Sequence, residues 1–168
     1  IYVISSTTYQ GVIVLTSEGE FTGFIGAQKF PLLRVVLGPQ DDAFTEKGLF
    51  DFKSALYTVT QDSNRMAAKL SGAPIEAKAG VDILSDGIVE GSVQVSANGQ
   101  PIVMLADHQS PGGYAKIATV IPCDIPALAQ VRPGQLVGFR VVSVEEGAEA
   151  CRKEKEKWTY LKEAIDHD

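Results

Sequence analysis

Between Gly87 and Ala118 the chain reads GIVEGSVQVSANGQPIVMLADHQSPGGYAKIA, setting Gln94, Asp107, His108, Gln109, Tyr114 and Lys116 around glycines. A hydrophobic core does not require such a concentration of polar groups, so chemistry is sought here first. Asp107 ends an apolar run and either accepts hydrogen bonds from an amide or ureido substrate or caps the turn that follows. Gln109 offers both a donor and an acceptor. Pro111-Gly112-Gly113 reads as a turn, either a plain one or one whose Gly112 and Gly113 N–H groups form a nest for a carboxylate or carbamate oxygen. Tyr114 either donates its hydroxyl to a developing oxyanion or fills the mouth of the domain. Lys116 either neutralises a carboxylate or, as is commoner for a lone lysine, lies solvated on an outward strand position. Gln94 stands between Val93 and Val95; if those valines face the core, it points the other way, toward solvent or a cleft.

A second polar cluster, Gln61-Asp62-Ser63-Asn64-Arg65, contains an arginine suited to bidentate carboxylate recognition, unless the cluster is simply a surface loop. Gly38-Pro39-Gln40-Asp41-Asp42 reads as a turn entering a helix, whose dipole Asp41 and Asp42 favour. The chain has no nucleophile elbow, P-loop, dinucleotide fingerprint or H-E-x-x-H sequence. With only His108 and the tail residue His167, a histidine-rich metal centre is not expected, and no metal site is assigned. Cys123 and Cys151 lie far apart in sequence without C-x-x-C spacing, which reads as two reduced thiols rather than a zinc cage or a disulfide framework.

The elements that must position these residues read as mainly β. Valine- and isoleucine-rich stretches broken by glycine, proline and asparagine predict strands over 12–15, 33–37, 55–60, 88–95, 102–106, 115–121 and 136–144, enough for a barrel or a sandwich. Asn98-Gly99 predicts a hairpin turn, with Pro101 tolerated at the start of the next strand. Short helices are predicted over 42–47 and over 124–130, the latter capped by Asp124, and Pro133-Gly134 turns the chain into the last strand. Beyond Val144 the charged segment EEGAEACRKEKEKWTYLKEAIDHD predicts a C-terminal helix with a Glu149–Lys153 pair. Glu154, Trp158, Leu161 and Ile165 lie on one of its faces, with Trp158 docking on the body of the domain unless the helix binds a partner.

The 168 residues suit one domain with a real core, and 45% hydrophobic with 21% charged residues reads as globular. A net charge of −6 with scattered basic residues lacks the basic stripe that nucleic-acid binding needs. The apolar runs are too short to span a membrane and no signal peptide opens the chain, so the expectation is a cytoplasmic protein bound to neither nucleic acid nor membrane. Ile1 in place of a methionine reads as a processed or truncated start.

Taken in order, L-G-P-Q-D-D-A-F at Leu37–Phe44, S-N-R-M-A-A-K-L at Ser63–Leu70 and D-H-Q-S-P-G-G-Y-A-K-I-A at Asp107–Ala118 resemble the carboxyltransferase A/B family. That family includes the C subunit of bacterial 5-oxoprolinase (formerly allophanate hydrolase subunit 2), the KipA antagonist of a kinase inhibitor, and a lobe of urea carboxylase. The similarity runs from about Leu33 to Val142. The chain departs from the family's usual Asp at Asn64, Gly at Ala67, Thr at Ser110 and Pro at Ala115, and it has no biotin-accepting A-M-K-M sequence.

The resemblance implies a cyclophilin-like β-barrel with short helices and a C-terminal helix. Residues 1–32 would then be the remnant of a preceding lobe, residues 33–144 the carboxyltransferase-family lobe, and residues 145–168 the charged helix. It further implies an enzyme component, similar to the 5-oxoprolinase C subunit, that helps open the 5-oxoproline lactam to glutamate. Its partners would be a B-subunit-like protein of related fold and an A-subunit-like protein, with no cofactor on this chain alone and ATP used by the complex. On that reading Asp107, Gln109 and Tyr114 are catalytic, and Gln94, Arg65, Gly112, Gly113 and Lys116 bind a small amide or lactam. Two further expectations come with the family: a carboxyltransferase lobe acting on urea or a related amide, with carboxybiotin supplied in trans, and a non-catalytic KipA-like regulator that binds a kinase inhibitor.

Overall fold

Pairing of the β-branched stretches organises the chain, seen here in a computed structural model that describes residues 2–5, 10–15, 21–25 and 28–166. The strands are β1 Tyr2–Ser5, β2 Gln10–Leu15, β3 Phe21–Ile25, β4 Gln28–Leu37, β5 Leu56–Val59 and β6 Ala67–Ser71. They continue with β7 Asp82–Gly87, β8 Ser92–Val95, β9 Pro101–Met104, β10 Pro111–Tyr114, β11 Lys116–Val120 and β12 Leu136–Val141. The helices are α1 Glu46–Ser54, α2 Ile125–Ala129 and α3 Val144–Asp166, with 3₁₀ turns at Asp41–Ala43 and Pro122–Asp124. His167 lies outside the described residues.

The sheet order β4-β11-β8-β9-β6-β5-β12 returns to β4 through a parallel pairing of β12 with β4, so these strands close into a barrel. Strands β1, β2 and β3 extend antiparallel from β4, and β7 with β10 form a separate two-stranded ribbon. Inward-facing side chains fill the barrel: Val35, Val93, Val95, Val103, Ile117, Val120 and Val137 are fully buried. Phe52 of α1 stacks on Phe139 with ring centroids 4.6 Å apart and plugs one end of that core.

Most expected strands form, with shifted ends. The one predicted over 88–95 keeps only Ser92–Val95, because Gly91 takes φ +85° and turns the chain there. Gly99 at φ +77° makes the predicted hairpin turn between β8 and β9. The short helix predicted over 42–47 divides into a 3₁₀ turn and α1, since Thr45 accepts the Gly48 N–H at 2.9 Å and starts a new helix. Strands β1, β3, β6, β7 and β10 lie outside the predicted ranges, and β7 carries almost no apolar periodicity and is mostly exposed. Val144 starts α3 instead of ending β12.

Asp124 does not cap α2 with its side chain. Its carboxylate instead accepts the Arg34 main-chain N–H at 2.7 Å and the Arg34 Nε–H at 3.0 Å, and it also pairs with Nη2, tying the turn after β11 to β4. The hydrogen bond with Asp124 holds the Arg34 guanidinium protonated even more firmly than usual. Helix α3 leaves the barrel with Gly147 against Ile121 and carries the expected Glu149–Lys153 contact at 3.6 Å. Trp158 does not dock. It is 63% exposed, because α3 runs past the barrel before reaching it, and Ile165 is exposed too. The Leu161 side chain lies outside the described residues. Among those residues no helix is long and apolar enough to cross a membrane.

Removing one partner of a largely buried ion pair strands the other. Asp124→Ala should therefore lower the unfolding free energy by about 3 kcal/mol, read from urea midpoints, whereas the double replacement Arg34→Met/Asp124→Leu should recover much of that loss. A native-like midpoint for Asp124→Ala would show that the pair does not anchor the turn.

Candidate active site

Val93 and Val95 point into the barrel, so strand alternation turns Gln94 to its outer face, and β11 places Lys116 directly opposite Gln94. The β7–β10 ribbon covers this face. Gly112 lets it approach closely, since a Cβ there would fall 2.2 Å from Ile88 Cδ1 and 2.5 Å from Gln94 Nε2. Beneath the ribbon Gln94 and Lys116 are only 2% and 4% exposed. Gln94 Nε2 donates to the Tyr114 carbonyl at 3.1 Å, and Lys116 Nζ donates to Asp86 Oδ2 at 2.7 Å. Gln40 Oε1 accepts the Lys116 main-chain N–H at 3.1 Å.

These contacts correct several expectations. Lys116 is not solvated, and Gln94 faces neither solvent nor an open cleft, because the ribbon covers both. Pro111-Gly112-Gly113 is not a turn but part of β10, paired with β7 through Pro111 opposite Gly87 and Gly112 opposite Asp86. Neither Gly112 nor Gly113 has a positive φ, so they lack the left-handed residue of an anion nest, although the pairing shifts register between Gly112 and Tyr114. Tyr114 is half-buried and packs against the core.

The ion pair is lopsided. The Lys116 side chain is 6% exposed, whereas Asp86 is 54% exposed. Asp86 is held below the usual carboxylate range chiefly by the hydrogen bond from Lys116. The Gly87 N–H at 2.7 Å, the Lys116 charge and a hydrogen bond from Gln40 add to this. The fixed element is thus a buried ammonium, and its present counter-ion is a carboxylate on a solvent-facing ribbon.

Arg65 and Asp107 meet elsewhere. Arg65 Nε lies 2.8 Å from Asp107 Oδ2, Nη2 donates to Oδ1 at 3.4 Å, and the side chains are 85% and 48% exposed. Asn64 Oδ1 shapes this turn by accepting the Met66 N–H at 2.8 Å. Arg65 is therefore already engaged with a carboxylate of its own chain, in a fork suited to carboxylate recognition. Gln109 is exposed on the loop leading into β10, and its carbonyl lies 2.9 Å from His108 Nδ1.

The structure thus gathers Gln94, Gly112, Gly113, Tyr114 and Lys116 at the ribbon, and sets Arg65 with Asp107 at a second, more exposed point. Beside Arg65 opens a cleft of about 400 Å³ lined also by Ser63, Asn64, Glu90 and Leu105. A slightly larger cleft of about 460 Å³ lies by Arg34, Asp124 and Gln135, and none of the candidate residues lines it. Gln40 and Asp86 were not selected from the sequence. Gln40 read as part of a turn, and Asp86 stands 30 residues from the lysine it pairs with, so no local pattern joins them.

A closed barrel bearing a ribbon over a buried lysine sets the architectural class. Residues 22–141 match the family model described as carboxyltransferase domain, subdomain A and B, and the chain belongs to that family. It is 37% identical over 145 residues to the 5-oxoprolinase C subunit of Haemophilus influenzae, covering 84% of this chain and 47% of that protein. It is also 35% identical over 126 residues to the 5-oxoprolinase C subunit of Escherichia coli, covering 75% of this chain and 40% of that one. The chain therefore spans less than half the length of these curated relatives. The crystal structure of Kluyveromyces lactis urea carboxylase shares the fold, with a TM-score of 0.67 at 21% identity over 73% of this chain and 12% of that one.

Because the folded protein holds Asp86 below its ordinary value of 3.8, the pair's contribution to stability is complete above that value and is lost as the pH falls through the lower one. Asp86→Asn should lower the urea midpoint at neutral pH and flatten its decline between about pH 5 and pH 2. An unchanged acid-side slope in the variant would remove this pair from the account.

Proposed function

We propose that the chain is a component of a 5-oxoprolinase, equivalent to part of its C subunit, working with partner proteins on the lactam of 5-oxoproline. The observation that carries this reading is the buried Lys116 ammonium, whose counter-ion Asp86 sits on an exposed ribbon. 5-Oxoproline is a small cyclic amide with one free carboxylate, and a covered cation whose counter-ion stands on an exposed ribbon suits that carboxylate once the ribbon moves aside. The similarity to two curated 5-oxoprolinase C subunits supports the same assignment.

In this reading the substrate carboxylate takes the place of Asp86 on Lys116, and Gln40 keeps the start of β11 in position. Gln94 plays a supporting part, since its amide N–H is spent on the Tyr114 carbonyl and so fixes the strand that carries the tyrosine hydroxyl. Arg65 lines a separate cleft, where its pair with Asp107 can open to orient the lactam amide. Net lactam opening adds water across the amide: oxygen joins the carbonyl carbon, the ring C–N bond breaks, and the nitrogen leaves as an amine carrying the proton. No atom is oxidised or reduced.

No step on this chain is routed through a phosphate or carboxybiotin. ATP is assigned to the assembled complex, whose other members supply the remaining walls of the site.

In a complex reconstituted with its partner proteins, Lys116→Met should lower kcat/KM for ATP-dependent 5-oxoproline opening about 100-fold while leaving the fold intact by circular dichroism. Asp107→Ala should lower it about 10-fold. Native rates in both variants would sink the assignment. Carboxyl transfer from a biotin carrier to urea in place of lactam opening would replace it with the carboxyltransferase reading.

A further inference from the structure

Cys123 and Cys151 lie outside the site described above. They are 28 residues apart, yet the Cys151 thiol donates to Cys123 Sγ at 3.0 Å. That is about 1 Å longer than a covalent S–S bond. Packing imposes the approach. Arg34 and Asp124 hold the 3₁₀ turn that carries Cys123, while Gly147 lets the first turns of α3 sit against Ile121, which brings Cys151 over that turn.

Both cysteines are free thiols, partly buried rather than enclosed. Cys123 lines the cleft of about 460 Å³ beside Arg34, Asp124 and Glu154, and Cys151 is partly exposed on α3. Burial first, and then the hydrogen bond from Cys151, push the Cys123 thiol up to about 12. Cys123 is therefore kept protonated and slow to react until an electrophilic sulfur is presented to it.

We propose that Cys123 and Cys151 are an oxidant-sensitive dithiol, which a peroxide-class oxidant converts into an intramolecular disulfide that locks α3 to the barrel. The Cys151 sulfur takes one oxygen atom from the peroxide, releasing water and leaving a sulfenic acid. The Cys123 sulfur then attacks the Cys151 sulfur, the S–O bond breaks, and the departing hydroxide leaves as water with the Cys123 proton. Two thiols are oxidised to one disulfide and one hydrogen peroxide is reduced to two waters. A thiol reductant reverses the change.

The folded full chain is treated with hydrogen peroxide, quenched with an alkylating agent, and read by intact mass and peptide mapping. The expected product has lost two hydrogens, is alkylated at neither cysteine and yields one cross-linked ion containing both. Its melting temperature should rise by roughly 5 to 10 °C and return with dithiothreitol. Cys123→Ser should gain oxygen at Cys151 without a crosslink. Separate oxygen addition to the two native cysteines, full alkylation of both after treatment, or a crosslink between two chains would each overturn the proposal. The mapping of the native chain decides the matter even if the variant fails to fold.

Discussion

Parallel pairing of β12 with β4 closes the sheet, and the rest of the molecule depends on it. Gly138 lies beside Leu32 and Val141 beside Val35, so strands more than 100 residues apart in the chain share one ladder. Closure satisfies main-chain donors and acceptors that an open edge would leave exposed, and it gives the valines of β4, β8, β9, β11 and β12 a common interior. It also divides every barrel residue into inward or outward, which is how Gln94 and Lys116 come to share the outer face.

An outward lysine ordinarily needs no partner, since water solvates it. Here the β7–β10 ribbon lies across β8 and β11, and burying the ammonium without a counter-charge would cost several kcal/mol. Asp86 supplies that charge from the ribbon itself. The cover and the neutralising group are therefore one element.

Where β11 ends beside β4, the Arg34–Asp124 pair does comparable work for the helical part. It fixes the turn after β11, which places Cys123, and α3 then brings Cys151 to the same spot. The distal part of α3 carries Trp158 and Ile165 in solvent, so the helix is held to the barrel mainly through its first turns. A covalent tie at Cys123 acts at the boundary between the anchored and the projecting parts of that helix.

Much of the fold was legible along the chain because its causes are local. Alternation around Val93 and Val95 gave the correct outward face for Gln94, Asn98-Gly99 gave the hairpin, and Pro133-Gly134 gave the turn into β12, each acting over a few residues. Local reading failed where a local rule had a tertiary exception. Pro111-Gly112-Gly113 has the composition of a turn but pairs as a strand, because the close approach to Ile88 and Gln94 needs a residue without a side chain. Strand β7 lacks periodicity because five of its six residues are exposed, so no buried face selects apolar side chains at alternate positions. The pairings that make the candidate site, Asp86 with Lys116 and Arg65 with Asp107, join residues 30 and 42 apart, and Arg34 meets Asp124 across 90. Backbone preferences and hydrophobic alternation act between near neighbours and were determined by residue order alone. Charge pairing depends on distance through space, and only barrel closure and strand register set those distances.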